Sequence, residues 1–124
     1  MATTALTAET FQQTIETNDL VLIDFWAAWC GPCRTFGPIF ERVAAKHPDA
    51  VFAKVDTEAQ PELAGALRIS SIPTLMIFRE GVLLYSQPGV VPEQGLDSLV
   101  EQARKLDMDE VRAQIASQRA THAH

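Results

Sequence analysis

Residues 21–34 are VLIDFWAAWCGPCR, and this stretch joins an apolar segment to the start of an amphipathic one. Residues 21–26 are almost all apolar, which is typical of a strand buried on both faces of a sheet. Residues 30–46 carry apolar side chains at helical spacing and predict a long helix. Cys30 and Cys33 therefore fall where the strand ends and the helix begins, and the chain can be examined outward from this junction.

Helices and strands alternate on both sides of this junction. Apolar spacing and turn signals predict helices over residues 7–15, 62–67 and 93–106, and strands over residues 51–56, 73–79 and 82–86. Glu80 and Gly81 alone separate the last two strands, which predicts an antiparallel hairpin. The order α-β-α-β-α-β-β-α predicts an α/β domain whose mixed sheet has helices on both faces.

A C-terminal extension, residues 107–124, follows the domain that we place at residues 1–106. The extension has a helix-capping pattern and a narrow apolar stripe, formed by Asp107, Glu110, Met108, Val111 and Ile115. We expect one extra short helix that packs on the domain. Residues 117–124 are expected to be frayed, because chain ends without apolar contacts are poorly ordered.

Composition limits the classes of function. The chain has 124 residues, of which 47% are hydrophobic and 21% charged, the balance of a single folded domain. Its formal net charge of −6 argues against binding nucleic acid through phosphates and against an anionic membrane surface. The sequence has no signal-like start and no apolar run near the roughly 18 residues of a membrane helix, so we expect a cytoplasmic protein.

The two cysteines carry the chemistry that the sequence predicts. Cysteines three residues apart at a helix N-terminus can form a small disulfide ring. Cys30 lies at the very end of the helix, where unpaired N–H groups and the helix dipole stabilise a thiolate, whereas Cys33 lies one turn inside. We therefore predict that Cys30 attacks a disulfide and that Cys33 resolves the mixed disulfide. Two alternatives stay open here: half of a zinc site, which needs two more ligands, and an inert structural pair.

Three motifs carry a resemblance to the thioredoxin family. Residues 21–34, with their WCGPC motif, resemble the active-site segment of that family, and residues 69–74, ISSIPT, resemble its cis-proline loop. Gly81 and Gly89 match the glycine of its hairpin and the glycine after its final strand. The resemblance covers about residues 5–105. It implies the thioredoxin fold, a central mixed β-sheet flanked by helices on both faces.

Asp24 is the one acid in a strand that is otherwise apolar. Burial of a lone carboxylate favours its protonated form and raises its pKa. Such a group can accept and donate the proton of Cys33, a role that the resemblance also implies. Lys54, in the next strand, matches a family lysine that lies near this acid. The alternatives are an acid at the strand end that faces solvent and an exposed strand lysine.

The resemblance also implies a redox-active Cys30–Cys33 disulfide and a substrate groove beside it. It implies a cis bond between Ile72 and Pro73, next to backbone groups that pair with an extended substrate segment. The expected substrate-binding residues are Trp29, Ile72, Pro73 and Gly89. The residues expected to tune the site are Trp29, Gly31, Pro32, Arg34 and Lys54.

Several residues depart from the commonest family pattern. Arg34 stands where a lysine is frequent, which keeps the positive charge beside the thiols. Ser71 replaces a common glycine, Pro88 replaces a small apolar residue, and Thr57 occupies a position that is often apolar. We expect these departures to affect the choice of substrate or reductase rather than the redox chemistry.

The predicted function is that of a protein disulfide reductase. By resemblance, the oxidised Cys30–Cys33 pair is reduced again by a flavin-dependent thioredoxin reductase that uses NADPH. The chain itself is expected to bind no cofactor and no metal. We expect a monomer that acts on disulfide-containing proteins, with no nucleic-acid or membrane partner.

Two other functions fit parts of the sequence. A disulfide oxidant or isomerase would use the same cysteine pair, but Gly-Pro between the cysteines resembles the reducing thioredoxins, whereas oxidants more often carry a histidine there. A non-catalytic docking subunit or holdase would use the groove and the extra helix. An intact cysteine pair argues against docking as the sole role.

Overall fold

The computed structural model describes residues 2–122, and its elements follow the predicted alternation. The strands are β1 (Thr3–Ala5), β2 (Leu20–Trp26), β3 (Val51–Asp56), β4 (Thr74–Arg79) and β5 (Val82–Pro88). The helices are α1 (Ala8–Thr17), α2 (Gly31–Lys46), α3 (Pro61–Ala66), α4 (Glu93–Lys105) and α5 (Met108–His122). Within residues 2–122 no helix is long and apolar enough to cross a membrane.

The strands form one mixed sheet in the order β1-β3-β2-β4-β5. β2 lies at its centre, parallel to β3 and antiparallel to β4. Asp24 in β2 pairs with Lys54 on one side and with Leu75 on the other. Because β4 runs opposite to β2, the end of β2 and the start of β4 meet at the same edge of the sheet. This topology brings the loop that carries Cys30 close to Pro73.

The side chains of β2 alternate between two hydrophobic cores. Leu20 and Leu22 pack in the core under α2 and α4, whereas Val21 and Ile23 pack in the core under α1. Asp24 is next in this alternation and points to the α2 face, because successive strand residues point to opposite faces. Helices thus cover both faces of a mixed sheet, which confirms the predicted fold class.

β4 and β5 form the predicted antiparallel hairpin. Glu80 and Gly81 occupy its turn, with φ angles of 51° and 79°. Positive φ at both central residues is the geometry of the two-residue turn whose twist suits a hairpin, and glycine adopts it without steric cost.

The sequence pattern does not predict β1. Its side chains have no apolar alternation, and it is held by backbone pairing with β3. The carboxylate of Glu41 in α2 also holds it, accepting hydrogen bonds from the backbone N–H groups of Ala2 and Thr3 and from the Thr3 hydroxyl. Partners so distant in the chain leave no local signal in the sequence.

The C-terminal extension is helical over more of its length than predicted. α5 continues to His122, and residues 123–124 lie outside the described part of the chain. The expected fraying of residues 117–124 stays a prediction. The carboxylate of Asp107 accepts the backbone N–H of Asp109 at 3.0 Å, which caps the first turn. Most of α5 beyond that turn is exposed.

Met108 anchors α5 to the domain. It is buried, whereas Val111 and Ile115 are half-buried. One ion pair joins the helix to the β4–β5 turn, from Arg112 to Glu80 at 3.0 Å. The division of the chain at residue 106 stays a prediction.

Candidate active site

Cys30 and Cys33 form a disulfide at the start of α2, with their Cα atoms 5.3 Å apart. Cys30 is the N-cap residue of the helix, and its Sγ accepts a hydrogen bond from the backbone N–H of Cys33 at 3.2 Å. The helix N-terminus therefore directs a donor at the Cys30 sulfur. This arrangement favours the thiolate of Cys30 once the disulfide is reduced.

Exposure alone does not distinguish the two sulfur atoms of the oxidised protein. Cys30 is 3% exposed and Cys33 is 5% exposed. The two residues differ instead in what lies next to them. The Cys30 sulfur lies 3.6 Å from the carbonyl oxygen of Ile72, whereas Cys33 lines a cleft next to α2.

The loop before β4 forms one wall of the site. The Ile72–Pro73 peptide bond is cis, as the resemblance implies. The carbonyl of Pro73 accepts the backbone N–H of Gly89 at 2.8 Å, which ties the end of β5 to this loop. Gly89 has a φ of 107°, a conformation that favours glycine because a side chain would be strained there.

Trp29 stands next to Cys30 and is 66% exposed. Its indole N–H donates a hydrogen bond to the carboxylate of Glu58 at 2.6 Å. A tryptophan held in this way offers an apolar surface of fixed orientation to a partner. Glu58 has no local signal in the sequence, because it follows β3 and only the fold brings it to Trp29.

Asp24 is fully buried on the α2 face of β2. Neither carboxyl oxygen has a hydrogen-bond partner within residues 2–122. Burial raises the pKa of Asp24 to about 6, and the nearby ammonium of Lys54 opposes part of that increase. A carboxyl group with a pKa near neutrality can both accept and release a proton. The alternative of a solvent-facing acid is wrong.

Lys54 reaches from β3 toward this buried acid. Its Nζ lies 4.0 Å from Oδ2 of Asp24 and 5.2 Å from the centroid of the Trp26 ring. Its side chain is 27% exposed, so most of it is covered. The alternative of a freely exposed strand lysine is therefore wrong as well.

A cleft of about 380 Å³ opens beside Cys33. Its lining comes from the end of β2, the first turns of α2 and β3, and consists of Trp26, Ala27, Ala28, Cys33, Arg34, Gly37, Pro38, Glu41 and Lys54. Glu41, which the sequence analysis did not single out, contributes a carboxylate to that lining. None of the predicted groove residues Trp29, Ile72, Pro73 and Gly89 belongs to it.

The residues between and after the cysteines shape the start of α2. Gly31 and Pro32 form its first turn, where proline leaves no N–H unpaired. A Cβ atom on Gly31 would meet no atom within 4 Å, so the space around the disulfide is open there. The guanidinium of Arg34 donates to the carbonyl of Ala28 at 3.0 Å and ties the helix to the preceding loop.

The other departures from the family pattern, at Thr57, Ser71 and Pro88, also lie near the site. Thr57 donates its hydroxyl to the carbonyl of Trp26 at 3.0 Å. The carbonyl of Ser71 accepts the hydroxyl of Thr74, and Ser71 and Pro88 line the same small surface pocket. Among the side chains of residues 2–120, no three from His, Cys, Asp or Glu form a group that could hold a metal ion.

A disulfide at the helix N-terminus that follows the central strand, with a buried acid on that strand, is the arrangement of a thiol–disulfide oxidoreductase. Comparison with known families agrees, since the thioredoxin family model matches residues 2–102. The chain belongs to the thioredoxin family. It is accordingly a thiol–disulfide oxidoreductase with protein disulfide reductase activity, and the family acts on disulfide substrates.

Individual relatives give the same result. A protein of Streptomyces coelicolor assigned as thioredoxin 2 is 61% identical over 119 residues, which cover 96% of this chain and 89% of that protein. The thioredoxin of Alicyclobacillus acidocaldarius is 43% identical over 98 residues, covering 78% of this chain and 93% of the relative. The solved structure of a mutant thioredoxin from Halobacterium salinarum has a TM-score of 0.78 at 32% identity and covers 86% of this chain and 95% of that one.

Proposed function

We propose that Cys30 is the attacking thiolate of this reductase and that Cys33 is the resolving thiol. The observation that carries this assignment is the hydrogen bond from the backbone N–H of Cys33 to the Cys30 sulfur at the N-terminus of α2. A donor and the positive end of the helix dipole both favour negative charge on that sulfur.

The reaction transfers two electrons to a target disulfide. The Cys30 thiolate attacks one target sulfur, a mixed disulfide forms, and the other target sulfur leaves as a thiolate. Cys33 then loses its proton and attacks the Cys30 sulfur, which breaks the mixed disulfide and releases the target sulfur that was bound to Cys30. The Cys30–Cys33 disulfide forms, and both target sulfurs take up protons to end as thiols.

Asp24 is the proposed acceptor of the Cys33 proton. Its pKa of about 6 leaves most of the carboxyl ionised at neutral pH, yet close enough to neutrality to give the proton back. Lys54 connects the two groups, since it lies 4.0 Å from Asp24 and lines the same cleft as Cys33. Gly31, Pro32 and Arg34 tune the site by fixing the start of α2.

The proposed substrate groove is the surface formed by Trp29, Ile72, Pro73 and Gly89. Trp29 supplies an exposed apolar platform, and the loop before β4 supplies backbone groups next to the Cys30 sulfur. An extended target segment would pair with this backbone as an added strand. Recognition would then depend on the shape and accessibility of the target segment more than on its charge.

The oxidised protein needs an external electron source, because the reaction leaves its two cysteines joined in a disulfide. We propose a thioredoxin reductase that passes electrons from NADPH, so the chain itself binds no cofactor. A cytoplasmic location fits this reaction, since thiols are kept reduced in that compartment. We further propose that the protein works as a monomer, because the mechanism uses groups of one chain only.

The order of attack is tested by trapping. We expect Cys33→Ser to accumulate a stable mixed disulfide with insulin through Cys30, because the resolving thiol is missing. Cys30→Ser is the matched control and should accumulate none. Nonreducing electrophoresis with mass spectrometry of the linked peptides measures both. Mixed disulfides formed by Cys30→Ser and not by Cys33→Ser would reverse the assignment.

The electron source is tested separately with the unaltered protein. Insulin reduction should proceed with NADPH and a thioredoxin reductase, and also with dithiothreitol as the reductant. Activity with dithiothreitol alone would contradict the proposed electron source while leaving the cysteine chemistry in place. Equal alkylation rates of the two reduced thiols across pH would contradict the asymmetry between Cys30 and Cys33.

A further inference from the structure

The ammonium of Lys54 lies between an aromatic ring and a buried carboxyl group. Its Nζ is 5.2 Å from the centroid of the Trp26 ring and 4.0 Å from Oδ2 of Asp24. The first distance is within the range of a cation–π interaction. The second is an ion-pair distance and is too long for a hydrogen bond.

The sheet places these three side chains together. Asp24 and Lys54 are paired residues of β2 and β3, and Trp26 is two residues after Asp24 on the same strand. Residues two apart on a strand share a face, and a side chain diagonally across from Lys54 is within reach of it. Trp26 is half-buried and also packs against Ala27 and the two cysteines, so its ring has little freedom to turn away.

Asp24 by itself cannot hold the lysine in place. A lysine side chain has a long flexible stem and a strongly hydrated head, and a quarter of this one is exposed. No hydrogen bond joins its ammonium to Asp24, whose oxygens accept no hydrogen bond within the described residues. The face of an indole ring attracts a cation and also covers the apolar stem.

We propose that Trp26 is a positioning residue, whose ring holds the ammonium of Lys54 beside the Asp24 carboxyl. This inference rests on the proposed role of Asp24 as the proton acceptor for Cys33. Trp26 does not touch the reacting sulfur of a substrate, and it acts through Lys54. A positive charge held near the carboxyl favours its ionised form, so the ring would extend proton acceptance to lower pH.

Other charged groups around Lys54 have to be considered as well. α2 contributes Cys33, Arg34 and Glu41 to the cleft that Lys54 lines, and β3 contributes Asp56 to a pocket on its other side. β4 places apolar Leu75 beside Asp24, and β1 contributes uncharged residues. Partial burial raises the pKa of Glu41, but hydrogen bonds from Thr3 and Ala2 and the charge of Lys54 hold it below its usual value, so Glu41 is a second anion that the ammonium feels.

The test measures the pKa of Asp24 by NMR of its carboxyl carbon in the oxidised, full-length protein. Trp26→Leu should raise this pKa by roughly half a pH unit or more, because the ammonium is no longer held near the carboxyl. Trp26→Phe is the conservative variant, keeps an aromatic face, and should raise it less. In a Lys54→Met background, Trp26→Leu should leave the pKa of Asp24 unchanged.

The same rise with and without Lys54 would overturn the proposal, since the ring would then act on Asp24 by a route that does not involve the lysine. No rise in the protein that retains Lys54 would overturn it too. If Trp26→Leu does not fold, fluorinated tryptophan in Trp29→Phe protein weakens the remaining ring's attraction for cations without changing its shape. The pKa of Asp24 should then rise with each added fluorine, and a constant value would refute the role of the ring.

This measurement needs no turnover, so it separates the inference from the function on which it rests. Failure of the Cys33→Ser trap would contradict the proposed order of attack whatever the pKa of Asp24 does. A successful trap with an unchanged pKa in Trp26→Leu would contradict only the role of Trp26. In the reduced protein, the pH profile of the resolving step should shift upward in Trp26→Leu and back toward the original in Trp26→Phe.

Discussion

Among single residues, Asp24 has the clearest energetic cost in this molecule. It takes the place of an apolar side chain in the central strand and has no hydrogen-bond partner within residues 2–122. Its raised pKa means that the folded protein binds the Asp24 proton more tightly than the unfolded chain does. Stability is therefore lost as the carboxyl ionises, so the residue that we propose as proton acceptor destabilises the fold at neutral pH.

The pH dependence of stability follows from this pKa. Between the ordinary value of 3.8 and the folded value of about 6, the free energy of unfolding should fall as pH rises, by about 3 kcal/mol in total. Asp24→Asn removes the ionisation and should stabilise the oxidised protein by up to about 3 kcal/mol near pH 7 and by little near pH 4. Denaturant unfolding at both pH values measures this. An equal gain in stability near pH 4 and near pH 7 would contradict the burial of an ionising carboxyl.

The contact between Trp29 and Glu58 predicts an effect on substrate affinity. Glu58→Ala releases the indole N–H and should raise KM for insulin roughly fivefold, because the lost hydrogen bond contributes about 1 kcal/mol. kcat should change little, since Glu58 does not touch the sulfur atoms. Glu58→Gln keeps an acceptor, so its KM should lie between that of the unaltered protein and that of Glu58→Ala. A loss in kcat with an unchanged KM would instead place Glu58 in the chemistry.

At the level of helices and strands, the elements with strong local patterns were predictable. The apolar run of β2, the spacing in α2 and the two-residue turn before β5 each have a local physical cause in the sequence. β1 and the far half of α5 were not predictable, because β1 is held by backbone pairing and by Glu41 from α2, and α5 has only a narrow apolar stripe. Glu58 and Glu41 were missed because their partners are distant in sequence.

The extension offers a test of the predicted division at residue 106. A chain that ends at Leu106 should keep the fold and the reductase activity but lose about 2 kcal/mol of stability, because burial of Met108 is lost. Met108→Ala in the full chain should reproduce most of this loss. Arg112→Ala should cost much less than Met108→Ala, since the ion pair with Glu80 is exposed. Loss of folding on truncation would show that residues 1–106 are not an independent domain.

At the scale of the whole molecule, one sheet separates two hydrophobic cores, and the Cys30–Cys33 disulfide lies at the edge where β2 ends. The core under α1 and the core under α2 and α4 both include residues of β2. Cys30 and Cys33 form a third, smaller cluster with Ala27. The redox state of the pair should therefore change global stability more through the unfolded chain than through repacking of either large core.

The oxidised protein is expected to be more stable than the reduced protein. A disulfide with a sequence separation of 3 closes a small ring and restricts the unfolded chain, which contributes about 2 kcal/mol. Denaturant unfolding of both forms at one pH measures the difference. Equal stability of the two forms would mean that the reduced thiols gain compensating contacts in the folded state.

The cleft beside Cys33 has a consequence for catalysis with large targets. The proposed groove of Trp29, Ile72 and Gly89 shares no residue with the lining of this cleft, so we expect a protein bound there to leave the cleft uncovered. Bulk water would then reach Cys33, the proposed resolving thiol, while the target is still attached. The Cys33 proton should therefore exchange with the medium within the covalent complex. We expect heavy water to slow turnover by the same factor for bulky targets as for short peptides.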